Sequence, residues 1–396
     1  MSAVDVSVVM PCLNEAATVA QCVEEARAAL ARAGLSGEVV VADNGSTDQS
    51  RALAEAAGAR VVSVPERGYG AAYIGGLNAA RGRYLVMGDA DGTYDFDDIP
   101  AFVARLEAGN DLVIGSRFAG TILPGAMPWL HRYIGNPVLT GILGVFFGQR
   151  VSDAHCGMRA ITREANEKMQ LRTSGMEYAS EMIAMAIRHG LKVGEIPIVY
   201  HPREGESKLR SFRDGWRHLR FMLLLSPTPL FLLPGLLMLA VGLPVLLALL
   251  PGPLRVAGLT FDFHFMFVAS ALAILGVQLV VLGLAAKAYA RTQLHVSERD
   301  RWVSFLDRRF TLERGLLAGG AFLVAGVVVN AAILVDWLQA GRGALFAVRP
   351  ALVGLTLLVI GAQLCFGSFF VSLVQGDTQK RWGRRKGERA GPDVPR

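Results

Sequence analysis

Four long tracts without a charged residue constrain this chain of 396 residues more than any other feature of its sequence. They cover residues 221–254, 265–286, 315–335 and 351–376. Each exceeds the ~20 residues that a helix needs to cross a bilayer. Pro227 and Pro229 interrupt the first tract, so its span is predicted over residues 230–250. The sequence therefore predicts an all-α transmembrane domain of four helices.

Positive charge is distributed unevenly among the segments that connect these tracts. Seven Lys or Arg residues lie between the second and third tracts and seven follow the fourth, whereas the other two connections contain one and two. Because cytoplasmic loops are enriched in Lys and Arg, both termini of a multi-pass cell-membrane protein are predicted in the cytoplasm. The first residues lack a basic segment followed by an apolar core, so no signal peptide is expected.

The first half of the chain has a different pattern, in which short β-branched runs alternate with helical stretches. Strands are predicted over residues 6–10, 39–42, 60–64, 84–87 and 111–114. This alternation predicts an α/β domain with a parallel sheet and crossover helices. Polar loops follow the strands, and such sheets bind ligands at the carboxyl ends of their strands, so this edge is predicted to carry the site.

Two carboxylates one residue apart, Asp89 and Asp91, follow the strand over residues 84–87. Acids this close repel each other, and a divalent cation is the partner that keeps both ionised. Oxygen ligands of this kind suit Mg2+ or Mn2+. The alternative is a helix N-cap or an Asx turn, because Asp91-Gly92 is also a turn sequence.

The loops after the first two strands suit a nucleoside. Asp43 and Glu15 can each accept a hydrogen bond from a base imide or a ribose hydroxyl. Residues 43–48 also predict a capped helix start, with Ser46 or Thr47 as the cap.

The loop after the third strand suits a diphosphate. Arg67 beside Gly68 and Gly70 would let a guanidinium and the backbone approach phosphate oxygens closely. Residues 68–73 nevertheless miss the dinucleotide-binding pattern, because the last position is Tyr73 and the segment does not follow the first strand.

The cysteines and the histidine near them favour structural roles. The four cysteines have no metal-ligand spacing and are predicted to be free reduced thiols; they are Cys12, Cys22, Cys156 and Cys365. His155 could bind a metal together with Asp153 and Cys156, but a packed loop histidine is the preferred interpretation.

Two segments have the composition of elements at a membrane surface. Residues 210–226 place arginines on one helical face and Phe212, Trp216 and Leu219 on the other, which predicts an interfacial amphipathic helix beside anionic lipid. The alternative is a solvated charged face. The apolar run over residues 138–147 is too short to span a bilayer and predicts either a core helix or an interfacial helix.

Three short motifs occur in a fixed order along the first half of the chain. They are Pro11-x-x-Asn14-Glu15, Asp43-x-Gly45-Ser46-x-Asp48 and Asp89-Ala90-Asp91. In this order and spacing they resemble the family 2 glycosyltransferases of GT-A fold, especially the polyprenyl-phosphate (dolichol-phosphate) hexose synthases. The resemblance covers roughly residues 5–225 and includes the segments over residues 153–159, 181–182 and 203–208. Asn44 and Cys156 depart from the family pattern, and the spacing over residues 203–205 is one residue short.

The resemblance implies a domain organisation and a set of site residues. The implied domains are a cytoplasmic GT-A, Rossmann-like domain over residues 1–209, an interfacial helix over 210–226, four transmembrane helices over 227–376 and a basic, disordered tail over 377–396. The implied nucleotide-sugar site comprises Pro11, Asn14, Glu15, Asp43, Arg67, Gly68, Asp89, Ala90 and Asp91. Asp89 and Asp91 are the implied metal ligands, and the lipid phosphate is assigned to Arg117, Arg203, Ser207 and Lys208. The implied catalytic set is Asp89, Asp91, Arg117, Arg203 and Lys208.

The cationic residues of this set also have an independent rationale. Arg117 follows the strand over residues 111–114, so it belongs to the same sheet edge, and a guanidinium binds phosphate through two hydrogen bonds. For Arg117 the alternative is a surface salt bridge. Arg203 and Lys208 lie in a polar loop just before the membrane region, where a lipid headgroup is expected.

The predicted reaction is inverting transfer of a hexose from UDP-glucose or GDP-mannose to a polyprenyl phosphate. That phosphate is largely ionised at neutral pH, so the protein needs no strong base. A transferase with a hydroxyl acceptor would need one, for which Glu181 is the candidate, although a helix-anchoring salt bridge suits Glu181 equally well. A third alternative is a non-catalytic membrane scaffold with a nucleotide-binding domain. The expected partners are a nucleotide sugar, a polyprenyl phosphate and a bilayer with anionic headgroups, and no nucleic acid.

Overall fold

The computed structural model describes residues 4–148, 151–204, 211–226, 228–294, 311–343 and 345–389. The chain forms two compact units, Met1–Leu224 and Leu225–Arg396. The predicted sheet belongs to the first unit and the four predicted spans to the second.

A seven-stranded sheet in the order β3-β2-β1-β4-β6-β5-β7 forms the centre of the first unit. Its strands are β1 (Val6–Cys12), β2 (Gly37–Asp43), β3 (Arg60–Ser63), β4 (Tyr84–Met87), β5 (Leu112–Ile122), β6 (Arg159–Thr162) and β7 (Val193–Tyr200). The first four strands pair in parallel, as predicted, whereas β6 runs antiparallel between β4 and β5. The sheet is therefore mixed, because β6 separates β5 from the strands that precede it in sequence.

Helices cover the sheet and bury its β-branched residues on both faces. They are α1 (Val19–Arg32), α2 (Ser50–Ala56), α3 (Tyr69–Ala79), α4 (Ile99–Glu107), α5 (Asn136–Phe147), α6 (Arg163–Met169) and α7 (Tyr178–Arg188). Neighbouring residues of the central strands, such as Val8 and Val9 in β1, are both fully buried. Burial on both faces is what crossover helices impose on a parallel sheet.

Helix α8 (Ser211–Leu225) has one buried and one exposed side. Asp214, His218 and Met222, one turn apart, are buried. The exposed side carries Phe212, Arg213, Trp216, Arg217, Arg220 and Leu224. The predicted aromatic and basic faces are both exposed, and the helix has in addition a third, buried face that the sequence prediction did not include.

The second unit consists of long apolar helices. Among the residues described, the four stretches long and apolar enough to cross a membrane are Thr228–Ala248, Phe263–Tyr289, Leu312–Gln339 and Val348–Gln375, which confirms the four predicted spans. They lie in helices α9 (Leu233–Ala248, after a π-helical turn), α10 (Phe263–Leu294), α11 (Leu312–Gln339) and α12 (Val348–Arg389). A short hairpin, β8 (Leu254–Val256) and β9 (Leu259–Phe261), connects α9 to α10 and had no counterpart in the sequence prediction.

Glycines bring α11 and α12 together at two levels. A Cβ added to Gly319 would lie 2.8 Å from the carbonyl oxygen of Gly361, and one added to Gly326 would lie 2.9 Å from that of Gly354. Small residues at such positions let helix backbones approach closely in a membrane, where packing drives association.

Candidate active site

The loops after β1, β2, β4 and β5 lie at one edge of the sheet. β5 points the same way as β4 because each is antiparallel to β6. In β1, Pro11 pairs with Ala42, and the following pair joins Cys12 to Asp43. Ala90 is buried and its carbonyl accepts a hydrogen bond from Thr18 (2.6 Å). The residues predicted to bind the nucleotide sugar therefore lie together at the carboxyl edge of the sheet.

Asp43 and Asn14 hold the loops after β1 and β2 together. The Asp43 side chain, 1% exposed, accepts a hydrogen bond from the backbone N–H of Ser46 (3.1 Å). Asn14, in the left-handed region at φ 54°, accepts one from the N–H of Thr47 (2.8 Å) and donates its own N–H to Ser46 Oγ (3.0 Å). The predicted cap at Ser46 or Thr47 is wrong, because both contact Asn14 and α2 begins only at Ser50.

Asn44 joins the loops after β2 and β3. Its amide nitrogen donates to the carbonyls of Val64 (3.1 Å) and Glu66 (2.6 Å), and its Oδ1 accepts from the N–H of Gly68 (2.8 Å). An ionised Asp could not donate, so this departure from the family pattern has a structural reason. Arg67 donates back to the carbonyl oxygen of Asn44 (2.5 Å), which places its guanidinium against the loop after β2.

Asp91 forms an Asx turn and an ion pair with an arginine, each through a different oxygen. Its Oδ1 accepts from the N–H and the hydroxyl of Thr93 (3.1 and 2.5 Å), which confirms the turn. Its Oδ2 lies 3.1 Å from Nη1 of Arg203. The Asx turn considered from sequence is therefore present, and it uses only one of the two carboxylate oxygens.

Asp89 is half-buried, in an environment rich in tyrosine. Its Oδ1 accepts a hydrogen bond from the Tyr73 hydroxyl (3.0 Å). Burial, and after it the charge of Asp91, raises the pKa of Asp89 to about 7. A carboxyl with this pKa is only partly ionised at neutral pH, so a cation beside Asp89 would favour its ionised form.

Arg203 bridges the acids of two different loops. Its Nη2 donates to Glu15 Oε1 at 2.6 Å, while its Nη1 lies beside Asp91. The backbone supports this placement, because the N–H of Glu204 donates to the carbonyl oxygen of Asp91 (3.4 Å). A residue predicted for the lipid phosphate thus lies against residues predicted for the sugar donor and the metal.

Arg117 is buried and paired instead of open to a ligand. Its Nε and Nη2 donate to the two oxygens of Asp153 at 2.6 and 2.9 Å, and its guanidinium carbon lies 5.1 Å from the centre of the Tyr200 ring. Arg117 is 7% exposed and Asp153 is fully buried. The interaction is a buried ion pair, not the surface salt bridge considered from sequence. The burial of Arg117 does not support direct contact between this residue and a lipid phosphate.

Glu181 is occupied by backbone donors. Its carboxylate accepts from the N–H of Arg172 (3.1 Å), and from the N–H and hydroxyl of Thr173 (2.9 and 2.7 Å). Its predicted anchoring role is therefore met by hydrogen bonds to the backbone, and it is 7% exposed. This arrangement favours an anchor over a general base.

His155 packs edge-on against His218, with ring centres 4.6 Å apart. Burial lowers the pKa of both, that of His218 to about 4, so both rings are neutral at physiological pH. Across the described part of the chain no group of three or more His, Cys, Asp or Glu side chains could hold a metal ion. The ring contact with His218 agrees with the preferred interpretation of His155 as a packed histidine. All four cysteines are free, and burial raises the pKa of Cys156 to about 12.

The remaining predicted residues, Ser207 and Lys208, lie outside the described residues. Sequence reasoning missed Tyr73 and Thr93, which touch the acidic pair. Thr93 had a signal, because a hydroxyl two residues after an Asp favours an Asx turn. The sequence signal for Tyr73 was weaker: this residue occupies the last position of the dinucleotide-binding pattern, where it departs from that pattern.

Two stretches of the chain match known families. Residues 7–170 match Glycosyl transferase family 2, and residues 284–375 match the Glycosyltransferase family 2 C-terminal transmembrane region. The chain is also 42% identical over 366 residues to the "Low-salt glycan biosynthesis hexosyltransferase Agl6" of Haloferax volcanii, an alignment that covers 92% of this chain and 88% of that protein. The chain belongs to the family 2 glycosyltransferases. It is a membrane-associated member, with a GT-A domain followed by a transmembrane region of four apolar helices among the described residues.

Other similarities of this glycosyltransferase are more limited. It is 34% identical over 180 residues to the "Dolichyl-phosphate hexose transferase" of Haloferax volcanii, which covers 45% of this chain and 76% of that protein. It is also similar to a crystal structure of glucosyl-3-phosphoglycerate synthase from Mycobacterium tuberculosis in complex with Mn2+, UDP-glucose and phosphoglyceric acid. That similarity has a TM-score of 0.45 and 25% identity over 55% of this chain and 78% of the other, and it adds nothing to the assignment.

Proposed function

We propose that this glycosyltransferase moves a hexose from a nucleotide sugar to a polyprenyl phosphate with inversion at the anomeric carbon. The observation that carries the proposal is the bridge from Arg203 to Glu15 and Asp91. It brings a phosphate-binding cation within hydrogen-bond distance of the acids proposed for the donor and the metal. The relative named "Dolichyl-phosphate hexose transferase" supports the choice of acceptor.

The proposed chemistry needs positioning more than proton transfer. A phosphate oxygen of the lipid forms a bond to the anomeric carbon, the bond from that carbon to the diphosphate breaks, and a nucleoside diphosphate leaves. The attacking oxygen is already largely ionised at neutral pH. The chain's own residues therefore have to hold two anions in line and offset their repulsion.

The acidic pair fits a divalent cation by the chemistry of its donors. Asp91 presents one oxygen that is already paired with a positive group, and Asp89 lies one residue away with its carboxylate in a low-dielectric environment. Mg2+ and Mn2+ are commonly bound by one or two carboxylates together with substrate phosphates. We assign Asp89 and Asp91 as the residues that would hold the ion, which would stabilise the charge of the leaving diphosphate.

Arg203 acts in this proposal as a residue that exchanges partners. Without substrates it neutralises Glu15 and Asp91. A divalent cation held at Asp91 would supply positive charge there, and the Arg203 guanidinium would then be available for the acceptor phosphate. Lys208 and Ser207 are proposed to bind the same phosphate, whereas Arg117 supports the segment that contains Asp153.

The membrane contacts of the first unit follow from two exposed apolar surfaces. Before and along α5, the side chains of Trp129, Tyr133 and Val145 are 65%, 59% and 79% exposed. The exposed aromatic and basic side of α8 has the composition of a helix that lies on anionic lipid. We propose that both contact the cytoplasmic leaflet, with the catalytic domain and both termini on that side.

The direct test is a panel of donors with the purified full-length protein. UDP-glucose and GDP-mannose are each incubated with undecaprenyl phosphate and Mn2+ or Mg2+, and the lipid is analysed by mass spectrometry. The proposal expects one hexose added to the lipid phosphate and an anomeric NMR coupling opposite in configuration to the donor. Transfer only to a sugar or protein hydroxyl, or a product with retained configuration, would contradict it.

A further inference from the structure

The segment over residues 68–73 begins α3 with two tyrosines one helical turn apart. Because Tyr69 and Tyr73 are four residues apart, they project from the same face of the helix. A Cβ added to Gly68 or to Gly70 would lie 2.1 Å from a backbone oxygen of residues 173–174. The two glycines therefore let the start of α3 pack directly against that neighbouring backbone, which fixes both tyrosines.

Both tyrosines reach the carboxylate of Asp89. The Tyr73 hydroxyl donates to Oδ1 at 3.0 Å, and the Tyr69 hydroxyl is near enough to lower the pKa of the same carboxyl, against the larger effect of burial. Tyr73 is fully buried, stacks on Tyr178 with the rings 6° from parallel, and contacts Tyr69 edge-on with ring centres 5.0 Å apart. A ring held on two sides cannot swing its hydroxyl away from Asp89.

Gly157 closes the other side of the same carboxylate. A Cβ added there would lie 2.7 Å from Oδ2 of Asp89, 2.9 Å from the Tyr94 hydroxyl and 3.1 Å from that of Tyr69. The Tyr94 hydroxyl accepts the N–H of Gly157 at 2.7 Å, which keeps this backbone in place. Asp89 is therefore confined between the tyrosines of α3 and the backbone of residue 157.

We infer that Tyr73, assisted by Tyr69, is a positioning residue that orients Asp89 toward the divalent cation. The inference rests on the proposed metal role of Asp89. It gives a role to the position that broke the dinucleotide-binding pattern, because a tyrosine there delivers a hydroxyl to the acidic pair. Hydrogen bonds to a ligating carboxylate typically change metal affinity by 10- to 100-fold.

The test compares two hydroxyl deletions within one aromatic stack. Tyr73→Phe removes the hydroxyl that contacts Asp89, whereas Tyr178→Phe removes a buried hydroxyl that has no hydrogen-bond partner among the described residues. Mn2+ binding to the full-length protein is measured by calorimetry and by the electron paramagnetic resonance spectrum of the bound ion. Tyr73→Phe is expected to weaken Mn2+ binding about ten-fold and to alter the spectrum. Tyr178→Phe is expected to do neither.

Kinetics and a third variant make the outcome decisive. A positioning role raises the KM for Mn2+ in Tyr73→Phe and leaves the KM for the lipid phosphate unchanged, which a general loss of folding would not do. Tyr69→Phe tests the second hydroxyl if Tyr73→Phe fails to fold. If the tyrosine variants keep their Mn2+ affinity while Asp89→Asn binds Mn2+ more weakly, the inference about the tyrosines is wrong and the metal assignment of Asp89 stands. Unchanged affinity in Asp89→Asn overturns the metal assignment of the proposed function as well.

Discussion

At the residue scale, the site is an arrangement of charge that changes with its ligands. Asp91 and Glu15 share one guanidinium, and their side chains are 10% and 13% exposed, so solvent screens these contacts only in part. A cation that binds Asp91 has to compete with Arg203. In the proposed mechanism, this competition would connect the binding of the sugar donor with the release of Arg203 for the acceptor phosphate.

Arg203→Ala is therefore expected to strengthen Mn2+ binding while it weakens transfer. The Arg203 side chain is 22% exposed, so the ion pair is worth no more than about 1 kcal/mol, which corresponds to an affinity gain of roughly two- to five-fold. The KM for the lipid phosphate should rise in the same variant. Arg203→Lys, which keeps the charge, serves as the matched control. A loss of Mn2+ affinity in Arg203→Ala would mean that Arg203 does not compete with the metal.

The binding of Mn2+ is expected to depend on pH through Asp89. Its pKa is raised to about 7, first by burial, so a proton competes with the metal below neutrality. Calorimetry should find affinity rising about ten-fold per pH unit below pH 7 and levelling off above it. Asp89→Asn should remove the dependence, and a flat profile in the unsubstituted protein would contradict this account.

The raised pKa of Asp89 also affects stability, but the free energy of unfolding changes with pH in the direction opposite to the Mn2+ affinity. Between the unfolded pKa of about 4 and the folded value, the folded state holds a proton that the unfolded state has lost. Without metal, the contribution of Asp89 to the free energy of unfolding therefore declines as the pH rises through this window.

At the element scale, a buried ion pair fixes the segment after α5 to β5. Asp153 binds Arg117 through both oxygens, and neither residue is open to water. Asp153→Ala leaves a buried guanidinium without its partner and is expected to cost about 3–5 kcal/mol of stability, measured by denaturant unfolding. Replacing both residues, as Arg117→Met with Asp153→Leu, should recover most of this loss. Equal stability of Asp153→Ala and the unsubstituted protein would contradict the structural role.

Adjacent glycines in α11 offer a matched test of helix packing. A Cβ at Gly319 would lie 2.5 Å from Cys365 Sγ, whereas one at Gly320 meets nothing within 4 Å. Gly319→Val should lower the melting temperature of the full-length protein in detergent, and Gly320→Val should not. If both variants melt alike, the close contact between α11 and α12 is not what stabilises this pair.

At the scale of the whole molecule, the chain combines a glycosyltransferase domain with a transmembrane region. The first unit contains the acidic pair and the loops at the carboxyl edge of the sheet, and the second contains the apolar helices. The proposed domain boundaries and the cytoplasmic orientation remain predictions. What the family assignment adds is that both parts, the transferase domain and the transmembrane region, belong to one kind of enzyme.

The sequence predicted those features that local patterns encode. The first four strands and the four spans were predictable because hydrophobic periodicity and tract length depend on neighbouring residues. The pairing of Arg203 with Glu15 joins residues 188 positions apart, and the Arg117–Asp153 pair joins residues 36 apart. The insertion of β6 between β4 and β5 is also long-range. No local pattern contains such contacts, which is why the partners of both arginines were missed.

The central claim is that the acidic pair supports transfer of a hexose to a lipid phosphate. The measurement that tests it most directly compares Asp91→Asn with Asp98→Asn, a matched change outside the site, for transfer of labelled hexose to undecaprenyl phosphate by the full-length protein. The account predicts that Asp91→Asn lowers turnover by about 100-fold or more, while Asp98→Asn retains it. Unimpaired formation of the lipid-linked sugar by Asp91→Asn would contradict the account.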